Sequence, residues 1–516
     1  MSDTDPASDT SETGSSETVN GAPPAAVSPR RARKVRRGPI LFVVLGAVIA
    51  AVVVQQGASS TGSSSAAPAP ADGVSAPPAD VASAAWYCAE GTSTPGGRAD
   101  ETVIVASLSD TRVDATITVM PGGDAAPASR QLRLAPGEET RVRVADILET
   151  PEPGVVVEVV GGRAVVSHQL DHGDDFAVEP CTRSAGAEWY FAAGTTVKGT
   201  EHSLALFNPY GDDAVVDVEF VTDTGAQEPD GLQAFVVPRR SRVTVPVQDF
   251  VPRQERVAAR IHARVGRLVV ERTQIFDGTV PDAGPTRQGI AVSLGAQSPA
   301  GVWRIPAGST ENGGTGSVAI ANFTDTDASV EVHVVLVGDQ SLAPQTVAVP
   351  SRGVTAVDVT ARVPLGTEYT VVVTARPVDG HPVPVVAELL ASWAPSSSTT
   401  GVGTTLGSSV TARRWVIPHP DVDADAFLTV MNASGEPVTA EILPASFVDR
   451  RSGATSEPEL AIAPGRAKVL KVVLLGSGRG GALVVTANHP IVVGLTLLGS
   501  AGASVSSAIP DPSYRG

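Results

Sequence analysis

Cysteine, aromatic residues and charge are all scarce in this chain of 516 residues. Two cysteines exclude a disulfide-rich scaffold, and aromatic side chains make up only 4% of the sequence. Charged residues amount to 18%, which is below the usual share of about 25% and excludes a coiled coil. The formal net charge of −17 argues against nucleic acid as a partner. A hydrophobic content of 42% remains, and it is enough to build folded cores.

The N-terminal region has the pattern of a membrane anchor. Residues 1–37 form a predicted disordered tail that ends in a basic cluster between Arg30 and Arg37. An uncharged apolar run follows, and we place a transmembrane helix at 38–56. Positive charge on one flank alone predicts a cytoplasmic N-terminus and a C-terminal part outside the membrane. A cleaved signal peptide is the alternative, which the long tail disfavours.

After the predicted anchor, residues 57–84 are rich in Ser, Ala, Pro and Gly and form a predicted flexible stalk. The tail carries almost balanced charges, so the acidic excess of the chain belongs to the exported part.

The exported part contains an internal repeat. Four tryptophans open equivalent segments: Trp86, Trp189, Trp303 and Trp415. Further along three of these segments, an apolar strand ends in an asparagine: Asn208, Asn322 and Asn432. We predict four repeats, at 85–183, 187–296, 301–408 and 413–510.

Each repeat has the pattern of a small antiparallel β-sandwich. Valine-rich segments alternate with period two, turn residues recur every few positions, and helical periodicity is absent. The sequence therefore predicts an all-β fold of four tandem β-sandwich repeats of immunoglobulin-like size. A β-propeller with two blades per repeat is the alternative. Within each repeat we also expect a closing hairpin, as between Val155–Val160 and Ala164–His168.

The two cysteines fall in the first repeat and predict one disulfide, Cys88–Cys181, because an even pair outside the membrane is expected to be oxidised. In the chain-entropy model this bond stabilises its repeat by about 4–5 kcal/mol. For Trp86, Trp189, Trp303 and Trp415 we expect packing at the junctions between repeats, with an aromatic sugar-binding platform as the alternative.

Other polar groups in the sequence are candidates for chemistry. The densest group of ligand-type residues is His168, Asp171, His172, Asp174 and Asp175, for which a solvated acidic loop is favoured over a metal site. A second group, Asp421, Asp423 and Asp425, begins like a calcium-binding loop but lacks its later ligands. Glu271 and Glu388 occupy equivalent positions in apolar strands, which favours a rim position or hydrogen bonds between repeats over acid–base catalysis.

The motif Trp189-Tyr190-Phe191-Ala192-Ala193-Gly194, followed by Asn208-Pro209 and Glu271-Arg272, resembles a repeat of extracytoplasmic actinobacterial proteins. The whole chain is similar to an uncharacterised, membrane-anchored actinobacterial family. The resemblance covers about 85–510 and implies the fold but no activity, so no catalytic residue is carried over.

These patterns predict a non-enzymatic cell-envelope scaffold or interaction protein with no catalytic, cofactor-binding or metal-binding residues. We expect the repeats to form a rod outside the membrane and to meet an envelope protein. The alternative is a carbohydrate-binding or cell-wall-binding module, or an accessory subunit of a polysaccharide complex.

Overall fold

Valine-rich alternating segments form antiparallel β-sheets throughout the computed structural model, which describes residues 74–122, 125–338, 340–378, 380–394, 398–447, 460–472 and 481–514. The predicted tail at 1–37 and the predicted anchor at 38–56 lie outside these residues. Within them the fold is all-β, as predicted, and contains no helix of the length and apolarity needed to cross a membrane. The helical elements in these ranges are single 3-10 turns at Val144–Asp146, Asp230–Leu232, Val247–Asp249, Glu311–Gly313, Thr360–Arg362 and Ala445–Phe447.

The strands fall into four groups along the chain. Each of the first three groups forms two sheets, and the fourth forms two arms of one sheet. In every group the sheet that contains the repeated tryptophan is called the Trp sheet and the other the central sheet. In sheet pair 1 the Trp sheet has the order β1(Ser83–Cys88), β6(Gly154–Val160), β3(Val113–Met120), β4(Ala128–Leu134). Its central sheet has the order β5(Glu139–Arg143), β2(Asp100–Ser107), β7(Ala164–His172), β8(Asp175–Pro180).

Sheet pair 2 has the same arrangement. Its Trp sheet comprises β9(Glu188–Phe191), β15(Val257–Val265), β11(Ala214–Thr222) and β12(Gly225–Gln227), with β13(Phe235–Val237) also on β11. Its central sheet has the order β14(Ser241–Pro246), β10(Thr200–Asn208), β16(Val269–Asp277), β17(Gln288–Leu294).

Sheet pair 3 follows the same order again. Its Trp sheet comprises β18(Val302–Ile305), β23(Tyr369–Val378), β20(Ala328–Leu336) and β21(Gln345–Val349), with β24(His381–Pro382) on β23. Its central sheet has the order β22(Gly353–Asp358), β19(Thr315–Asn322), β25(Val386–Trp393), β26(Gly401–Leu406).

In sheet pair 4 one long strand, β32(Leu483–Leu498), joins both arms into a single sheet. Its first half belongs to the Trp arm with β27(Ala412–Ile417), β29(Val438–Pro444), β30(Leu460–Ile462) and β34(Ile509–Pro510). Its second half belongs to the central arm with β28(Asp425–Asn432), β31(Ala467–Val472) and β33(Ala503–Ser507).

The two sheets of a pair enclose a shared core. In sheet pair 1, for example, Val103 and Val105 of the central sheet belong to the same buried cluster as Ile117 and Val157 of the Trp sheet. Burying one face of each strand explains the period-two pattern of the sequence.

The predicted closing hairpin is wrong. β6 pairs with β1 and β3, whereas β7 pairs with β2 and β8, so Gly161-Gly162 carries the chain from one sheet to the other. A short turn between two valine-rich runs is common to a hairpin and to such a crossing, and periodicity does not separate them. The last strands of each central sheet, such as β7 and β8, form the hairpin instead.

The expected rod is also wrong, because the edge strands of the central sheets meet in a closed cycle. β8 contacts β17, β17 contacts β26, β26 contacts β33, and β33 contacts β8. The four strands run in the same direction along a common axis of roughly 20 Å, given about 3.3 Å per residue. Each edge is thus covered by its neighbours, which protects it from pairing with another chain.

The folded part begins earlier than the predicted stalk boundary. Val74 packs against the cores of sheet pairs 1 and 2, and Ala76 is buried. The N–H of Ala76 donates to the carbonyl oxygen of Pro510 at 2.8 Å, so the two ends of the ring lie side by side.

Candidate functional site

The junction between sheet pairs 2 and 3 is built around the buried carboxylate of Glu388. Its Oε2 accepts hydrogen bonds from the backbone N–H groups of Ala192 and Ala193, each at 2.6 Å. The guanidinium of Arg272 donates to the same oxygen at 2.9 Å. All of these groups are shielded from solvent, so the carboxylate exchanges water for three donors from the preceding pair.

Glu271 forms the corresponding junction between sheet pairs 1 and 2. Its Oε2 accepts from the N–H groups of Ala89 at 3.0 Å and Glu90 at 2.6 Å. Burial raises the pKa of Glu271 to about 7, although the nearby His168 and the Glu90 N–H oppose the shift. The sequence prediction that Glu271 and Glu388 make hydrogen bonds between repeats agrees with these contacts.

The other two junctions lack this glutamate, and the strand registers explain the difference. Glu271, Glu388, Gly494 and Ser167 occupy equivalent positions, opposite Leu294, Leu406, Ser507 and Pro180 respectively. For each of these positions, the residue to compare lies in the preceding sheet pair of the ring, three positions after its repeated tryptophan. In the same order, these residues are Ala89, Ala192, Pro306 and Pro418.

The glutamate is therefore present where the preceding segment offers an N–H at that position and absent where proline removes the donor. At the junction between sheet pairs 3 and 4, glycine is needed for a further reason. A Cβ on Gly494 would lie 2.6 Å from the carbonyl oxygen of Pro306, too close for any side chain.

The seam between sheet pairs 4 and 1 uses different side chains. The N–H of His419 donates to Glu139 at 2.9 Å, and Arg141 donates to the His419 carbonyl oxygen at 2.6 Å. The N–H of Asp421 donates to Gln169 at 3.0 Å. Burial raises the pKa of Glu139 to about 7.

Several further charges are buried beside the first junction. Glu90 pairs with Arg242 at 2.6 Å, and Glu101 lies 3.2 Å from the Nδ1 atom of His168. Burial raises the pKa of Glu101 well above its usual range. Burial acts in the same direction on Glu90, but Arg242 and Arg98 outweigh it and lower the pKa of that carboxyl. These groups stabilise contacts inside the ring and do not line an open cleft.

One end of the ring axis opens into a polar cleft of about 520 Å³. Turns of all four sheet pairs line it, and this axial cleft comprises His172, Gly173, Asp174, Asp175, Phe276, Asp277, Gln288, Gly289, Thr400, Ser500 and Ala501. Two side chains show how its wall is fixed. The Nδ1 atom of His172 lies 2.7 Å from the Arg98 carbonyl oxygen, and the N–H of Thr279 donates to Asp277 at 2.8 Å. Hydrogen bonds from the side chain and the N–H of Thr279 lower the pKa of Asp277.

Asp175 joins three sheet pairs at the floor of this cleft. Its carboxylate accepts from the N–H groups of Phe176 at 2.8 Å, Ile290 at 2.7 Å and Ala503 at 3.2 Å. Burial raises the pKa of Asp175 to about 7 against these three donors.

The structure places the sequence candidates as follows. Cys88 and Cys181 form the predicted disulfide, which is confirmed. Trp86, Trp189, Trp303 and Trp415 are completely buried. Trp189 donates to the Leu268 carbonyl oxygen and Trp303 to that of Val385, each within its own sheet pair. The buried clusters that contain the four tryptophans also include residues of neighbouring sheet pairs, so their packing at the junctions stays a prediction.

The two acidic groups do not converge on a metal. Of the predicted loop, His168 is fully buried while His172, Asp174 and Asp175 lie at the axial cleft. In the second group, Asp421 binds Gln169 and Asp425 pairs with Lys471 at 2.7 Å. Among the described residues, close grouping of three ligand atoms occurs at Cys88, Cys181 and His168, where the disulfide already occupies both sulfurs.

Sequence reasoning missed Arg242, Glu90 and the paired role of Arg272. Glu90 stands among small residues and Arg272 in an apolar strand, which is the available signal for a buried ion pair, whereas Arg242 follows two other arginines and carries no such signal. Their partners lie more than a hundred residues away, so the sequence alone does not reveal the pairs.

Comparison with known protein families gives one match. Residues 171–473, more than half of the chain, fit the model of a family of unknown function, DUF5719. The chain belongs to this family. The DUF5719 match begins in β7, at Asp171, and includes both glutamate junctions, Glu271 and Glu388. The expectation of an uncharacterised family is thereby confirmed, whereas its actinobacterial and membrane-anchored character stays a prediction.

Two solved structures show a distant likeness to this DUF5719 member. The crystal structure of chicken CNTN1 FN1-FN3 domains is 12% identical, covers 63% of this chain and 99% of its own, and has a TM-score of 0.10. The Streptomyces avermitilis alpha-L-rhamnosidase complexed with L-rhamnose is 9% identical, covers 74% of this chain and 53% of its own, and has a TM-score of 0.12. Neither score bears on fold or function. No curated protein matches the chain.

Proposed function

We propose that this protein is a non-enzymatic scaffold of the bacterial cell envelope, held outside the plasma membrane by a single N-terminal anchor. It consists of four immunoglobulin-like β-sandwich units, and sandwiches are favoured over propeller blades because both sheets of a pair share one core. The closed cycle of β8, β17, β26 and β33 carries the proposal. Units that each pack on two neighbours in this cycle present their loops in fixed positions, as a docking platform requires.

The location of the buried ionisable groups supports a structural role for them. Glu179, Glu271 and Glu388 are completely or almost completely shielded and bind backbone N–H groups of another sheet pair. Perturbed pKa values are common at active sites, but structural ion-pair networks produce them as well. A carboxylate whose partners are the packing contacts of a ring acts on stability.

Capture in the envelope tests the scaffold. The full-length protein is crosslinked in intact cells, purified through an affinity tag and compared with a control that joins the same tail and anchor to an unrelated β-sandwich. We expect an envelope protein to be recovered with the wild type alone. Recovery of glycan without any protein partner would contradict the scaffold.

A second test addresses the anchor. Protease added to intact protoplasts should remove the ring and leave a tag on the cytoplasmic tail protected. Degradation of the tail tag, or release of the ring without protease, would contradict an uncleaved anchor with a cytoplasmic N-terminus.

Recognition of envelope glycan is the second candidate function, and the polar axial cleft is the observation that favours it. An aromatic platform formed by the repeated tryptophans does not, since all four are buried.

A further inference from the structure

The axial cleft has the dimensions of a ligand site. Its volume of about 520 Å³ lies within the range of about 300–1000 Å³ that is usual for small-molecule pockets. Because each sheet pair contributes a turn, the cleft exists only in the closed ring. Its floor is fixed by Asp175, which ties the turns of sheet pairs 2 and 4 to that of sheet pair 1.

The lining determines which ligand chemistry fits. Asp174, Asp175 and Asp277 contribute carboxylates, while Gln288 contributes an amide and Thr400 a hydroxyl. The side chains that line the cleft include no lysine or arginine. Such a surface offers hydrogen-bond acceptors in excess and negative charge, so it complements a ligand with many hydroxyl donors and a positive charge.

The shape of the cleft disfavours an extended peptide. Peptides that add to a sheet need a free strand edge. At the axis the edges of β8, β17, β26 and β33 cover one another, so the cleft offers turns and side chains and no open ladder. A hydroxyl-rich ligand therefore fits the axial cleft better than an extended peptide does.

Among the described residues, the cleft also lacks a set of ligand atoms for a bare metal ion. Its histidine and aspartates do not bring three ligand atoms together, as noted above for the described residues. The ligand must therefore span several of these groups at once.

We infer that the axial cleft binds an amine-bearing oligosaccharide, whose hydroxyl groups meet the turns and whose ammonium groups meet Asp174 and Asp277. This inference rests on the second candidate function, glycan recognition, and names its ligand class. It is independent of the scaffold and of the anchor.

The test uses the full-length protein in detergent and isothermal titration calorimetry. The probes are a β-1,4-linked glucosamine tetramer, its fully N-acetylated and uncharged counterpart, and spermine, which has the charge without the sugar. We expect the glucosamine tetramer to bind at least tenfold more tightly than either of the others, with an affinity that falls as salt rises.

Two variants locate the site. Asp174→Asn and Asp277→Asn should each weaken glucosamine tetramer binding by about tenfold, because each removes a charge-assisted hydrogen bond. Asp114→Asn makes the same charge change on an exposed residue outside the cleft and should leave binding unchanged. Circular dichroism spectra and melting temperatures of the variants confirm that the ring is intact.

The other outcomes are separable. Equal binding of the acetylated tetramer would overturn the role proposed for the ammonium groups of the ligand but would still support glycan recognition. Equal binding of spermine, or an equal effect of Asp114→Asn, would overturn the saccharide site. Binding of none of the probes would overturn the inference, while the scaffold is judged by the crosslinking experiment alone.

Discussion

Glu388 in sheet pair 3 accepts hydrogen bonds from two consecutive backbone N–H groups, and that of Ala192 is the first of them. The pair shows how one unit recognises its neighbour in the ring: a buried carboxylate on one side meets a short strand tail with free donors on the other. Where the tail carries Pro306 or Pro418, the carboxylate is replaced.

Removing this donor should destabilise the ring. Ala192→Pro deletes one N–H and leaves the buried Glu388 carboxylate short of a partner, so we expect a loss of about 1–3 kcal/mol in the free energy of unfolding. Urea denaturation followed by circular dichroism measures it. Pro306→Ala is the matched control, since Gly494 has no carboxylate to satisfy, and should change stability by less than about 1 kcal/mol. Equal losses in both variants would contradict the junction rule.

The ion pair at the same junction should be coupled to the carboxylate. Arg272→Met leaves Glu388 buried without its counter-ion and should cost about 3–5 kcal/mol. Adding Glu388→Leu removes the unpaired charge, so the double variant should lose clearly less than the sum of the two single variants. A double-mutant cycle from urea denaturation gives the coupling, and additive losses would show that the two residues act separately.

The disulfide should contribute strongly because it closes a long loop. Cys88 and Cys181 are 93 residues apart in sequence, and the chain-entropy model gives about 4–5 kcal/mol for such a loop. The double variant Cys88→Ser/Cys181→Ser should therefore unfold at a much lower urea concentration. Reductant should shift the wild type toward this variant and leave the variant itself unchanged. An unchanged unfolding midpoint would mean that the ring alone holds sheet pair 1.

Stability should fall as pH rises through the acidic to neutral range. The pKa of Asp175 is about 7 in the folded protein and near 3.9 when unfolded, so the folded state holds a proton that the unfolded state has lost. Between about pH 4 and 7 each such group lowers stability by up to about 1.4 kcal/mol per pH unit. Asp175→Asn should show a shallower dependence than the wild type in melts from pH 5 to 8. A parallel dependence would contradict the assignment.

The tryptophans should be hidden from solvent. All five, including Trp393, are completely buried, so acrylamide should quench their fluorescence several-fold less in the native protein than after unfolding in urea. Oligosaccharides should not change this quenching. Strong native quenching that a sugar relieves would restore the aromatic platform as a binding surface.

The sequence was sufficient where a local pattern has one physical solution. Alternating valine-rich segments form strands, the cysteine pair forms a disulfide, and each strand-ending asparagine folds the loop after it. Asn208, Asn322 and Asn432 all donate from Nδ2 to the carbonyl oxygen four residues on, at 2.8 Å in each case. Such contacts lie within a few residues of one another and are visible in the order of the letters.

Long-range relationships were beyond the sequence for an equally physical reason. A sandwich buries its faces in the same way whether its neighbours form a line or a ring, so the periodicity carries no information about the cycle of edge strands. The position of His172 and Asp175 was also beyond the sequence. Their polar side chains predicted a solvated loop, but this loop forms the wall of a cleft only because sheet pairs 2 and 4 pack beside it.

Because the four edge strands cover one another, the edges are protected from aggregation only after the last of these strands has been synthesised. Synthesis proceeds from the N-terminus, so β8, β17 and β26 are complete while β33, at Ala503–Ser507, is still missing. Until it arrives, the edges of β8 and β26 lack their last neighbour and can pair with a strand of another molecule. β33 thus completes the cycle, and a chain that stops before Ala503 would expose strand edges that favour aggregation.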